Sequence, residues 1–188
     1  HHRVMVVEVM GRYSGWIALY AAIAGGADAA LIPEIPFDLS RVAAHITARD
    51  MLGARSSIVV VAEGATPVGG ERVVVAPTRP GQTERLGGIA ERVSRALEPM
   101  TDKESRHVVL GHLQRGGSPL AYDRVLATRF GSHAVGLVQR RQFGVMVALR
   151  GDRIVEVPLE RVVGRARPIP LDSDMMLVAR NMGMCLGD

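Results

Sequence analysis

Within six residues, His112-Leu113-Gln114-Arg115-Gly116-Gly117, the chain carries an imidazole, an amide and a guanidinium beside a Gly-Gly turn. None of these side chains belongs in an apolar core. Together they can donate hydrogen bonds to phosphate oxygens and sugar hydroxyls, and a guanidinium fork matches two phosphate oxygens at once. Arg106 lies a strand's length upstream. A second loaded segment is Met10-Gly11-Arg12-Tyr13-Ser14-Gly15. Small residues at a strand-to-helix turn free backbone N–H groups for an anion, and Arg12 adds a full charge. A turn carrying only a solvated arginine has the same composition. The third segment is Ala62-Glu63-Gly64. There a carboxylate at a strand end can accept hydrogen bonds from sugar hydroxyls, or can cap a helix or pair with a cation.

Strands alternating with helices must position these groups. Apolar runs predict strands at Val4–Val9, Ala29–Ile32, Ile58–Ala62 and His107–Leu110. The β-branched Ile58–Val61 stretch reads as a strand covered on both faces, and polar Glu8 interrupts the first run. Helices are expected over Trp16–Ala24, stopped by Gly25-Gly26, over Arg41–Leu52, capped by Ser40, over Leu86–Leu97 and over Asp123–Val138. Gly64–Gly81 is rich in Gly and Pro and reads as a long loop, with a short strand at Val73–Val75. Val145–Leu149 and Ile154–Val157 suggest a hairpin, and the chain turns irregular after Gly164. The pattern predicts an α/β fold, a three-layer Rossmann-like sandwich around a mostly parallel sheet. In such sheets ligands bind beyond the carboxyl ends of the strands, where the three loaded segments fall.

Composition narrows the function classes. The chain has 188 residues, enough for one domain or one domain and part of a second. Apolar residues make up 47% and charged residues 22%, which argues against disorder. The single cysteine, Cys185, cannot close an internal disulfide and fits a reducing compartment. The apolar run Trp16–Ala27 is shorter than the ~20 residues of a membrane span. Net charge is +4, with Lys103 the only lysine among 23 basic residues, so the positive charge is almost all guanidinium. Aromatics at 4% leave little to stack on bases, and no run of five basic residues occurs, which disfavours nucleic acid as a partner.

Val7-Glu8-Val9-Met10-Gly11-Arg12, Pro33-Glu34, Ala62-Glu63-Gly64, Leu110 through Pro119 (LGHLQRGGSP) and Tyr122-Asp123-Arg124 together resemble the C-terminal half of the bacterial 6-phosphofructokinases. Order and spacing hold from Arg3 to about Gly131. His1-His2 lead into Arg3 as in the family, which tells against a tag remnant. The resemblance implies the second lobe of the phosphofructokinase fold, with residues 1–115 as a fructose 6-phosphate-binding lobe. It implies that residues 116–168 pack partly on an N-terminal lobe outside this chain, with 169–188 as a C-terminal tail. It implies sugar-phosphate contacts from Arg3, Met10, Gly11, Arg12, Glu63, Arg106, His112, Leu113, Gln114 and Arg115. Arg12 would stabilise transition-state charge, Glu63 would accept sugar hydroxyls, and Arg3 and Arg106 would complete a neighbouring subunit's site in a homo-oligomer. The full enzyme would be a cytoplasmic, glycolytic phosphotransferase using Mg²⁺ and ATP, or pyrophosphate. The donor loops, metal-binding aspartate and general base belong to the family's other half. This chain alone is therefore expected to bind the sugar phosphate, to hold no metal or cofactor and to be inactive. A non-catalytic sugar-phosphate-binding or assembly subunit is the alternative. Family members controlled by phosphoenolpyruvate and ADP carry several cations before the strand leading to Glu63. Here Leu52-Gly53-Ala54-Arg55-Ser56 has one, with Asp28 keeping the acidic group, so weak or absent control is expected.

Overall fold

The computed structural model describes residues 2–76, 85–164 and 166–188. The part of the expected 64–81 loop beyond residue 76 lies outside them, as do His1 and Arg165. Two compact units are formed, His1–Gln114 with Arg167–Asp188, and Arg115–Ala166.

The first unit is built on four parallel strands in the order β2-β3-β1-β6. These are β1 (Arg3–Val9), β2 (Ala29–Leu31), β3 (Ser57–Ala62) and β6 (Glu104–Val109). Val6 of β1 lies between Val59 of β3 and His107 of β6. Because side chains alternate along a strand, β1 sends Val4 and Val6 to one face and Val9 to the other. The Val4–Val6 face is covered by helices α2 (Leu39–Met51) and α3 (Ile89–Thr101), through Val42, Ile46, Ile89, Val93 and Leu97. The opposite face is covered by α1 (Trp16–Gly25) and α5 (Asp174–Asn181), through Leu19, Ala22, Met176 and Ala179. Each fully buried Leu, Ile or Met contributes about 1.5–3 kcal/mol. The three layers match the sequence expectation, and the doubly covered β3 is buried from Val59 to Ala62.

Three local differences have plain causes. The cap of α2 is Asp38, not Ser40. Asp38 has extended backbone, and its carboxylate accepts from the Ser40 N–H at 2.8 Å. Helix α3 starts at Ile89 rather than Leu86. Arg85–Leu86 forms strand β5, which pairs antiparallel with β4 (Val74–Ala76), and Gly87 and Gly88 follow at φ 146° and 86°. The chain is irregular from Ala166 to Ser173, as expected after Gly164, and then forms helix α5, which was not expected. Met176 and Ala179, three apart, face the core from α5, and this i, i+3 pair was the signal in the sequence. Beyond α5 the chain bridges onto β2, where the Ala30 N–H donates to the Cys185 carbonyl at 2.9 Å, and this covers the sheet's edge. Burial pushes the Cys185 thiol up, in keeping with an inert position.

The second unit pairs α4 (Ala121–Gln139) with the hairpin of β7 (Val145–Arg150) and β8 (Arg153–Pro158). Leu137 is buried, and Arg129 donates to the Asp152 carbonyl at 2.5 Å. His133 and Arg140 meet Glu156 at 3.0 and 3.4 Å.

Candidate functional site

Strands β3, β1 and β6 are parallel neighbours, so their carboxyl ends emerge side by side. Met10–Arg12 follows β1, Glu63 follows β3, and the 3₁₀ turn Gly111–Arg115 follows β6. Backbone bonds join these ends. Glu63 N–H donates to the Val9 carbonyl at 2.9 Å, Gly64 N–H to Gly11 at 3.0 Å, and Leu110 N–H to Glu8 at 3.0 Å. Side chains add two more ties. The Met10 N–H donates to Gln114 Oε1 at 2.7 Å, and the Gly11 N–H reaches Glu63 Oε1 at 3.5 Å. A Cβ on Gly64 would stand 2.0 Å from the Arg12 carbonyl oxygen, so only glycine lets the two turns cross.

The ends enclose a cavity of about 380 Å³ whose walls include Met10, Arg12, Glu63, Arg85, Gly88 and His112. That volume suits one small metabolite. Glu8 stands at its floor. It is only 2% exposed, and its carboxylate accepts from the Gly88 N–H at 3.0 Å and the Ala90 N–H at 3.0 Å. The N-terminus of α3 is thus satisfied from within. The polar residue interrupting an otherwise apolar strand was the sequence signal for this contact.

The N-terminus of α1 is likewise closed. Sequence reasoning offered the Gly11–Gly15 turn to a ligand anion, but the anion is Glu34, whose two oxygens receive the Gly15 N–H at 3.1 and 3.0 Å. Glu34 also accepts from the Ile169 N–H at 2.8 Å, and Ser14 Oγ and Trp16 Nε1 donate to the Arg167 carbonyl at 3.0 and 2.9 Å. The chain's own carboxylate thus occupies the N-cap N–H of α1 and offsets the positive end of its dipole. On the cavity's own walls the charged groups that can meet an external anion are side chains, Arg12 and His112 among them.

The other expected site residues are distributed as follows. Arg12, Glu63, His112 and Met10 share the cavity, and Gly11 belongs to its turn. Gln114 uses its amide oxygen on the Met10 backbone, which makes it a holder of the turn. Leu113 is 78% exposed and is not among the residues lining the cavity. Arg3 and Arg106 do not line the cavity either. Arg3 opens β1 and, with Arg106, flanks Glu104 at 2.5 Å each on the β1–β6 edge. Hydrogen bonds from Arg106, then from Arg3, hold the Glu104 carboxyl below the usual carboxylate range. Arg115 ends the 3₁₀ turn and opens the second unit. Among the described residues no group of three or more His, Cys, Asp and Glu side chains could hold a metal ion.

A positive and a negative side chain facing one small cavity suit a ligand that is part phosphate and part polyol. A family model described as phosphofructokinase matches residues 1–138, which include every wall of that cavity. The chain belongs to the phosphofructokinase family. The ATP-dependent 6-phosphofructokinase of Chloroflexus aurantiacus is 54% identical to it over 188 residues, covering 100% of this chain and 51% of that protein. The pyrophosphate–fructose 6-phosphate 1-phosphotransferase of Amycolatopsis methanolica is 49% identical over 175 residues, covering 90% of this chain and 50% of that protein. The solved structure of phosphofructokinase from Saccharomyces cerevisiae superposes with a TM-score of 0.72 at 32% identity, over 86% of this chain and 20% of that one. The chain spans about half the length of the curated relatives it matches. The fold of the chain thus matches that of a solved phosphofructokinase over most of its length.

Proposed function

We propose that the protein serves a 6-phosphofructokinase, moving a phosphoryl group from ATP to the 1-hydroxyl of fructose 6-phosphate in cytoplasmic glycolysis, and that these 188 residues supply the sugar-phosphate side of the site. The observation that supports this most is the meeting of Arg12, Glu63 and His112 in one cavity at the carboxyl ends of three adjacent parallel strands. Glu63 accepts hydrogen bonds from the sugar's hydroxyls. His112 donates to the sugar phosphate, with Arg115 as its neighbour in sequence. Arg12 faces the phosphoryl group in flight, where fixed positive charge lowers the barrier because the transition state spreads negative charge over the equatorial oxygens. The 1-hydroxyl oxygen bonds to the γ-phosphorus, ADP leaves, and the hydroxyl proton passes to a base outside these residues. None of these roles is routed through Mg²⁺.

Arg3 and Arg106, held as a pair by Glu104 on the β1–β6 edge, are proposed to complete the site of a second copy of the chain. Residues 116–168 are proposed to pack partly on chain beyond these residues. Control by phosphoenolpyruvate or ADP is proposed to be weak. Asp28 is 8% exposed, paired to Arg49 at 2.6 Å, and accepts the Ile58 N–H at 2.8 Å, so its carboxylate is already engaged. A strong ADP shift of sugar affinity would go against this.

Pyrophosphate is the second reading for the donor, favoured by the 49%-identical relative named for it. An assay of fructose 1,6-bisphosphate formation by the complete gene product, with each donor in turn, tests both. Turnover with ATP supports the first reading, turnover with pyrophosphate alone supports the second, and no product with either contradicts the function. The 188-residue chain is expected to bind fructose 6-phosphate and form no product.

A further inference from the structure

Arg85 lines the same cavity as Arg12, Glu63 and His112, although it lies 22 residues beyond Glu63 in sequence and outside every motif that pointed to the site. Its placement is built. Arg85 and Leu86 form strand β5 against β4, and Leu86 is buried at 8% exposure. The Gly87 N–H donates to the Val73 carbonyl at 3.3 Å, and Val73 packs on the core. Two consecutive glycines at positive φ then turn the chain directly into α3. That backbone is closed to most side chains, and it fixes the segment carrying Arg85 beside the cavity floor.

The charges around the cavity say what Arg85 faces. Of the two carboxylates there, Glu8 is engaged by the Gly88 and Ala90 N–H groups, and Glu63 faces the Gly11 N–H. The helix start on the cavity wall, at Gly88, already holds the Glu8 carboxylate. A phosphate entering the cavity there meets a site occupied by the chain's own anion, which favours contact with side chains. Among the described residues the guanidiniums on the cavity's walls are Arg12 and Arg85. With Arg12 taken by the phosphoryl group in flight, Arg85 is the guanidinium left on these walls to join His112 on the sugar's own phosphate.

We propose that Arg85 is a substrate-binding residue that holds a phosphate group of the sugar phosphate from the wall formed by β5 and the start of α3. The proposal rests on the sugar-phosphate reading of the cavity and adds to it a contact from a segment outside the recognised motifs. It makes strand β5, paired with β4, part of the site.

The test uses the complete gene product. Fructose 6-phosphate and unphosphorylated fructose are titrated calorimetrically into the parent protein, Arg85→Gln and Arg85→Lys, and KM and kcat are measured alongside. Loss of one charge-assisted contact should weaken fructose 6-phosphate binding about tenfold or more in Arg85→Gln. Arg85→Lys, which keeps the charge and loses the fork, should fall between. The loss should appear in KM and be absent for fructose, whereas a merely structural role would move the melting temperature and both ligands together. Parent-like fructose 6-phosphate affinity in Arg85→Gln, with the parent binding normally, overturns the proposal and leaves the sugar-phosphate reading intact. Failure of the parent protein itself to bind fructose 6-phosphate overturns both. If Arg85→Gln does not fold, equal affinity in Arg85→Lys and the parent at low and high salt overturns the proposal.

Discussion

Arg12→Gln keeps a hydrogen-bond donor on the cavity wall and removes the charge. If the guanidinium acts on the phosphoryl group in transit, kcat of the complete enzyme should fall about 100-fold or more while KM for fructose 6-phosphate changes little. A rise in KM at unchanged kcat would instead make Arg12 a ground-state contact. Gly64→Ala tests how the turns are held. Its Cβ would meet the Arg12 carbonyl at 2.0 Å, so the backbone of one turn must move. We expect a loss of about 1–3 kcal/mol in stability, with a drop in activity larger than that loss explains, because Arg12 moves with its backbone. A melting curve and a kcat measurement on the same preparation check this. Arg12, Glu63 and His112 were legible in the sequence because each follows a recognisable strand. Glu8 and Arg85 were harder to read. Glu8 announced itself only as a polar break in an apolar run, and Arg85 falls between the Gly- and Pro-rich Gly64–Gly81 stretch and the helix expected from Leu86, so neither pattern gave it a register.

Strands β1 and β3 were legible because β-branched runs of strand length have few alternatives to a covered sheet. By contrast, β2 is a short Ala-Ala-Leu, and β6 begins at Glu104, before the expected His107, its start hidden by the polar Glu104-Ser105-Arg106. Helix starts were less legible. Ser40 and Asp38 both have capping side chains, and only the extended backbone of Asp38 decides between them. Leu86 has the right spacing for α3, yet it pairs with Val74 because Gly87 and Gly88 take positive φ. Helix α5 escaped because its apolar signal is short. At the sheet's far edge, α2 carries a pH-dependent contact. Burial, and then the neighbouring Arg49, lower the pKa of His45, against the weaker pull of Asp28. The unfolded chain therefore takes up a proton near the usual ~6.5 while the folded chain resists it. This contribution to stability is present in full above about pH 6.5 and is lost as pH falls below it. His45→Gln should flatten the fall in melting temperature between about pH 6.5 and 5, and an unchanged slope would show that His45 is not responsible.

Across the whole molecule, the first unit closes its core on both faces of the sheet, whereas the second unit exposes much of its apolar surface. Val125, Val135 and Phe143 are 61%, 59% and 71% exposed. Solvated apolar side chains in such number signal a surface normally covered. The 188-residue chain should therefore bind a hydrophobic dye or self-associate, and the complete gene product should do so much less. A dye-silent monomer would contradict the covered surface. Among the described residues, no helix is long and apolar enough to cross a membrane.

The central claim is that one cavity at the ends of β1, β3 and β6 holds the sugar phosphate. A crystal structure of the complete gene product soaked with fructose 6-phosphate tests it most directly. The sugar should lie in that cavity with its hydroxyls on Glu63 and with Arg12 and His112 in contact. Density for the sugar at another place, with the cavity filled only by water, would contradict the account.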